Sequence, residues 1–150
     1  LLNMMQGVVD GGTGRIVRRM GFKHPAGGKT GTTNNFKDAW FNGFTKTLST
    51  AVWVGYDNNK PMINRFKLGL TGASAAAPIW AFFMEKALKG RNKIKFSIPE
   101  GIKFEKVDIH SGTFVDDQSL ESINVALKEE TVILPRDLKS NDISKEQEPT

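Results

Sequence analysis

The chain has no cysteine, only two histidines and no long apolar run. Without cysteine there is neither a disulfide framework nor a thiolate metal site, and the absence fits any compartment. His24 and His110 alone do not make a histidine zinc site, so neither a metal nor a cofactor is expected. Spanning a bilayer takes about 18 consecutive apolar residues; no segment approaches that, and no signal peptide is visible. An initiating methionine is missing too. The opening Leu1-Leu2-Asn3-Met4-Met5 reads as the middle of a helix, so the chain is expected to be a piece of something longer. Missing targeting signals then say little about where the whole polypeptide resides.

What remains is the composition of an ordinary folded domain: 150 residues, 25% charged and 39% hydrophobic. The net charge of +5 conceals an asymmetry. Residues 1–103 carry 16 Lys and Arg against 5 Asp and Glu, whereas residues 104–150 carry 5 against 11. A basic body with an acidic tail suits an anionic ligand or surface, or simple solubility.

The most concentrated chemistry lies in Gly27-Gly28-Lys29-Thr30-Gly31-Thr32-Thr33. If Ala26–Thr33 is a strand, side chains alternate faces, so Thr30 and Thr32 point the same way. Gly31 between them has no Cβ to hold a bound group off the backbone. Two hydroxyls, an ammonium and an approachable N–H suit a carboxylate and a carbonyl oxygen that acquires negative charge.

Around this strip the pattern predicts a helix over 1–9 stopped by Asp10-Gly11-Gly12, then a short basic segment with Arg15, Arg18 and Arg19. Three strands follow, at 26–33, 38–45 and 47–56, with short connections that favour antiparallel neighbours. Ala51–Tyr56 is nearly continuously apolar, as in a strand covered on both faces. A helix runs from Thr71-Gly72-Ala73-Ser74 to about Lys89, with Ile79, Phe82, Phe83, Ala87 and Leu88 on its apolar side and Pro78 near its start. Residues 102–109 alternate as a strand, His110–Thr113 is a turn, and the polar chain from Asn141 is expected to be disordered. The order implies a helix–sheet–helix layering.

Gly28-Lys29-Thr30 matches the end of a phosphate-binding loop, but Lys23 stands where that motif needs glycine, and strands rather than a helix follow. Lys29-Thr30-Gly31-Thr32 is instead a signature of serine penicillin-recognising enzymes. With Ala26–Asn34, Asp38-Ala39-Trp40-Phe41, Gly43, Val52–Asp57 and Gly72–Trp80, residues 1–115 closely resemble the C-terminal half of the transpeptidase domain of bifunctional (class A) penicillin-binding proteins. Residues 116–150 read as an acidic C-terminal extension. The resemblance implies an α/β (α+β) fold, an antiparallel sheet sandwiched between helices as in serine β-lactamases, present here only in part.

The resemblance implies a peptidoglycan D,D-transpeptidase that works through an acyl-serine intermediate and is acylated by β-lactams. Lys29 would supply positive charge and help organise proton transfer. Thr30, Gly31 and Thr32 would bind the carboxylate of a D-Ala-D-Ala stem peptide or a β-lactam, and the Thr32 N–H would be an oxyanion donor. It further implies a glycosyltransferase domain in the parent, an N-terminal anchor in the bacterial inner membrane with catalysis on the periplasmic side, accessory cell-wall proteins as partners, and no nucleic acid. None of these has a residue here to support it.

One departure is decisive. No serine is followed three residues on by lysine, so the Ser-x-x-Lys nucleophile motif is absent. Ser122-Ile123-Asn124 matches the second motif but follows the Lys-Thr-Gly strand instead of preceding it, and reads as chance. This chain alone is therefore expected to be inactive. The remaining conspicuous residues have plain readings. Trp40, Trp53 and Trp80 are packing residues, His24 is solvent-exposed, Asp38 and Asp57 form turns without an evident partner, and the arginines form a solvated face. The rival from another class is a non-catalytic module that binds anionic cell-wall polymer or nucleic acid through the basic surface, with strong salt dependence.

Overall fold

A computed structural model describes residues 1–115 and 122–131. One compact unit covers 1–96 and a second begins at Ser97. The first opens with helix α1 (Leu2–Asp10), which buries Val9. Gly11 ends it at φ −141°, and the Gly11 and Gly12 N–H groups both close on the Gly7 carbonyl. Gly12 has to be bare, because a Cβ there would lie 2.9 Å from the Val8 Cα. The chain folds back through Gly14, whose N–H donates to Val8 O, into the single turn α2 (Ile16–Arg19).

The three arginines do not form one solvated face. Arg18 reaches Asp10 Oδ1 with Nε and Nη2, each at 2.8 Å, and donates from Nη1 to the carbonyls of Phe22 and His24. It thus ties the end of α1 to the segment that leads into the sheet, leaving Arg15 and Arg19 exposed. The same tie corrects the reading of His24. Held by its carbonyl and stacked on Phe22 at 5.5 Å, it is buried, only 8% exposed.

Strands β1 (Gly27–Thr32), β2 (Asp38–Phe44) and β3 (Ser49–Gly55) form an antiparallel sheet in that order. The register sets Phe41 against Val52 and Ala39 against Val54 on one face, and Trp40 against Trp53 on the other. β3 is not covered on both faces as its composition suggested. It is an edge strand among the described residues, alternates in burial, and leaves Ala51 and Trp53 exposed while Val52 and Val54 pack against the core. Trp40 and Trp53 meet each other, ring centroids 6.3 Å apart, so the apolar residues of that face are partly covered by one another. Asp38 does have partners: it accepts from Thr33 Oγ1 and from Trp53 Nε1, so it joins the β1–β2 turn to β3.

After residues 57–71, which carry no strand or helix, a π-helical turn (Gly72–Ala76) runs into α3 (Ala77–Ala87). Thr71 and Ser74 cap it reciprocally: the Thr71 hydroxyl accepts from Ser74 N–H and the Ser74 hydroxyl accepts from Thr71 N–H. Pro78 falls in the first turn of α3, where proline is best tolerated. The buried stripe is Ala77, Trp80, Ala81, Met84 and Leu88, whereas Ile79, Phe82 and Phe83 are exposed. The helix is apolar nearly all round, so periodicity did not choose its face. The fit of Trp80 into the core did. That core joins Val9, Val17, Phe22, Ala26 and Phe41 to the α3 stripe.

In the second unit β4 (Ile102–Asp108) pairs antiparallel with β5 (Ser122–Lys128), a strand the sequence reading did not name. Ser122-Ile123-Asn124 opens β5. The turn at 110–113 forms as expected, because Asp108 Oδ1 accepts from His110 N–H, Ser111 N–H and the Ser111 hydroxyl. These bonds, the Ser111 N–H foremost, hold the Asp108 carboxyl below its ordinary range. A carboxylate with a lowered folded value stabilises the turn above its unfolded pKa, and the contribution is lost as pH falls through the folded value. Following the Ser111 amide shift by NMR should give a midpoint below that of an ordinary aspartate; an ordinary midpoint would refute the turn as described. The disorder expected from Asn141 lies outside the described residues. No helix among them is long and apolar enough to cross a membrane.

Candidate active site

Lys29, Thr30, Gly31 and Thr32 all lie in β1, an edge strand among the described residues. The chain after Thr30 is strand and not helix, so a phosphate-binding loop is ruled out on geometry as well as on spacing. Beyond β1, Thr33 N–H donates to Asp38 O at 3.1 Å. In an antiparallel ladder one residue's N–H and C=O share a side and successive residues alternate. Thr33, Gly31 and Lys29 therefore face β2, while Thr30 and Thr32 direct their N–H and C=O groups at the unpaired edge.

The side chains converge on that edge. Lys29 starts from the opposite face to the threonines, yet its Nζ curls round to donate to Thr30 O at 2.9 Å. The ammonium so sits beside the free N–H groups, with no carboxylate paired to it among the described residues. Thr30 and Thr32 share a face, as the alternation predicts. Thr32 Oγ1 accepts from the Gly72 N–H at 3.0 Å, and Thr30 Oγ1 lies 2.9 Å from Thr13 Oγ1. Thr32 is exposed and Thr30 half-buried. Two hydroxyls, outward N–H groups and one ammonium on a strand edge can bind a carboxylate and stabilise an oxyanion.

Gly31 packs closely against β2. A Cβ on it would lie 3.2 Å from the Trp40 Cβ, on the face away from the threonine hydroxyls. Gly72 approaches from the threonine side: a Cβ on Gly72 would fall 2.2 Å from Trp40 O and 2.6 Å from Gly31 O. Gly72 and Thr13 both belong to this site and neither was legible beforehand. They lie 40 and 17 residues from their partners, with no periodic signal linking them.

Thr13 also lines an open cleft of about 830 Å³, together with Arg15, Arg19, Ser74 and Pro78. Among the described residues no cluster of His, Asp and Glu gathers to hold a metal ion. Ser74, a second hydroxyl in the cleft wall, is engaged with Thr71 and has no base beside it among the described residues.

No protein-family model matches the chain. Individual proteins do. Penicillin-binding protein 1A of Rickettsia bellii is 37% identical over 112 residues, 75% of this chain and 13% of that protein. The crystal structure of penicillin-binding protein 1A from Haemophilus influenzae superposes with a TM-score of 0.70 at 30% identity, covering 86% of this chain and 19% of the other. PonA1 of Mycobacterium tuberculosis, solved in complex with penicillin V, gives a TM-score of 0.53 at 30% identity over 65% of this chain and 27% of its own. The chain thus spans a small share of the relatives it matches. Similar in sequence over most of its residues, and sharing their α+β fold of antiparallel sheet and helices, it belongs to the penicillin-binding protein 1A family as a segment of such a protein.

Proposed function

We propose that this chain supplies one wall of a serine D,D-transpeptidase site that cross-links peptidoglycan stem peptides and is acylated by β-lactams. The observation that carries this reading is the convergence of the Lys29 ammonium, the Thr30 and Thr32 hydroxyls and the outward Thr32 N–H on one edge of β1. Thr30 and Thr32 bind the carboxylate of D-Ala-D-Ala or of a β-lactam, with Gly31 between them keeping the strand close to Trp40. The Thr32 N–H meets the carbonyl oxygen as the serine oxygen adds to its carbon. The C–N bond then breaks and the nitrogen takes up the proton, departing as D-Ala from a stem peptide and staying tethered in an opened β-lactam, while the acyl group stays on the serine. Lys29 favours the proton's departure from the serine through its charge.

The serine itself lies outside this chain, which has no Ser-x-x-Lys. Residues 1–115 act as the C-terminal half of the transpeptidase domain and 116–150 as an acidic extension. In the whole protein a glycosyltransferase domain, an inner-membrane anchor and periplasmic accessory proteins complete the machinery.

Intact mass after incubation with a penicillin tests this, on this chain alone and on the polypeptide extended upstream. An adduct only on the extended polypeptide is expected. An adduct on the short chain would refute the external nucleophile; none on either would favour an inactive homologue or the anionic-polymer module, whose binding falls steeply with salt. In the extended polypeptide Thr30→Val and Thr32→Val each remove a hydroxyl-to-carboxylate bond worth about 1.5–3 kcal/mol, so acylation should slow at least ~10-fold. Unchanged acylation rates in both variants would sink the assignment.

A further inference from the structure

Thr32 and Thr30 bind their carboxylate only if their hydroxyls donate toward it, and a hydroxyl on a bare strand edge rotates freely. Here neither is free. The Gly72 N–H can only donate, so the Thr32 oxygen accepts from it at 3.0 Å and the Thr32 O–H is left to point elsewhere. Thr32 has no other partner among the described residues, and it is exposed. The Thr30 oxygen meets a second hydroxyl, Thr13 Oγ1, at 2.9 Å. Thr13 comes from the turn between α1 and α2, the Gly72 N–H from the turn into α3. The two supports therefore reach the strip from separate elements.

We infer that Thr13 is a positioning residue for carboxylate recognition: its O–H donates to Thr30 Oγ1 and so turns the Thr30 O–H outward, as Gly72 N–H does for Thr32. The inference rests on the carboxylate-binding reading of the strip. Either hydroxyl of the Thr13–Thr30 pair can be the donor in the free protein. An arriving carboxylate settles the direction, because it accepts the Thr30 proton and leaves the Thr30 lone pair to Thr13. Hydrogen bonds in such a chain polarise one another, so the outward bond strengthens when the inner one forms. The ligand class follows: an anionic carboxylate gains from this chain, and a neutral ester, whose bonds are not strengthened by charge, gains little. Thr13 is exposed and near-isosteric with valine, so the variant should remain folded.

The test uses the upstream-extended polypeptide and the acylation rate by one penicillin as free acid and as methyl ester. Thr13→Val should slow acylation by the acid about 5-fold and leave the ester within about 2-fold, and Thr13→Ser should restore the acid rate. Melting curves of the variants check that folding is unchanged. Equal slowing with acid and ester would make Thr13 merely structural and overturn the inference. So would an unchanged acid rate, or failure of serine to rescue. Thr32→Val is measured alongside: if it too leaves the acid rate untouched, the strip does not bind the carboxylate and the functional reading itself falls. If only Thr13→Val is silent, the reading stands and this inference fails.

Discussion

Trp80→Ala should destabilise the 1–96 unit by about 3–5 kcal/mol, the range for deleting a large aromatic from a packed interior. Trp80 is fully buried and occupies the centre of the core. Its ring meets Phe41 at 5.2 Å and Phe22 at 5.3 Å, both edge-on, the arrangement aromatic quadrupoles prefer. It lies flat enough on β2 that a Cβ at Gly43 would come within 2.7 Å of it. Its Nε1–H donates to Thr50 O at 3.1 Å, tying α3 to β3. Domains of this size have about 5–15 kcal/mol of stability in all, so the variant should melt tens of degrees lower or fail to fold. Trp80→Phe separates the two contributions. It keeps most of the apolar contact and forfeits the hydrogen bond, so its cost should be nearer 1–3 kcal/mol, roughly that of an orphaned carbonyl. Thermal denaturation followed by circular dichroism measures both. A loss below about 1 kcal/mol for Trp80→Ala would mean that the core is organised around something else.

Gly72→Ala is the second large effect, and it links stability to the site. The added methyl would fall 2.2 Å from Trp40 O, 2.6 Å from Gly31 O and 3.0 Å from Gly31 N. All of these are backbone atoms of paired strands, which cannot rotate aside as a side chain would. The turn into α3 has to withdraw from the sheet, and overpacking of this kind costs about 1–3 kcal/mol or more. Withdrawal also breaks the bond from Gly72 N–H to Thr32 Oγ1, so the variant should slow β-lactam acylation in the extended polypeptide as well as lose thermal stability. Stability falling while acylation by the remaining folded protein stayed intact would show that Gly72 serves packing alone. Unchanged melting would mean that the close approach to Gly31 and Trp40 is not real.

Local chemistry makes much of this protein legible in its sequence. The alternation in 26–33 put Thr30 and Thr32 on one face, the short connections made the strands antiparallel, and Asp10-Gly11-Gly12 ended the first helix. Each of these depends on neighbours a few residues away, where backbone geometry leaves few options. The resemblance carried by Lys29-Thr30-Gly31-Thr32, Asp38–Phe41 and Val52–Asp57 likewise identified the family, because residues so spaced rarely coincide by chance.

What sequence alone could not decide was which of several equivalent surfaces would be buried, and which distant groups would meet. An α3 apolar nearly all round left Ile79, Phe82 and Phe83 as plausible a core face as Trp80 and Met84, until shape complementarity with Phe41 and Gly43 chose. Composition made β3 look fully covered, but among the described residues the core packs on one face of the sheet only, which leaves Trp53 exposed beside the equally exposed Trp40 of the central strand. His24 read as exposed until Arg18 drew its carbonyl inward. The donors behind the threonines, Thr13 and the Gly72 N–H, come from separate turns that only the packed chain brings to β1. Sequence determines the elements and the reactive groups, since those follow from local geometry and chemistry; the tertiary structure decides burial and orientation, since those depend on contacts between residues far apart in the chain.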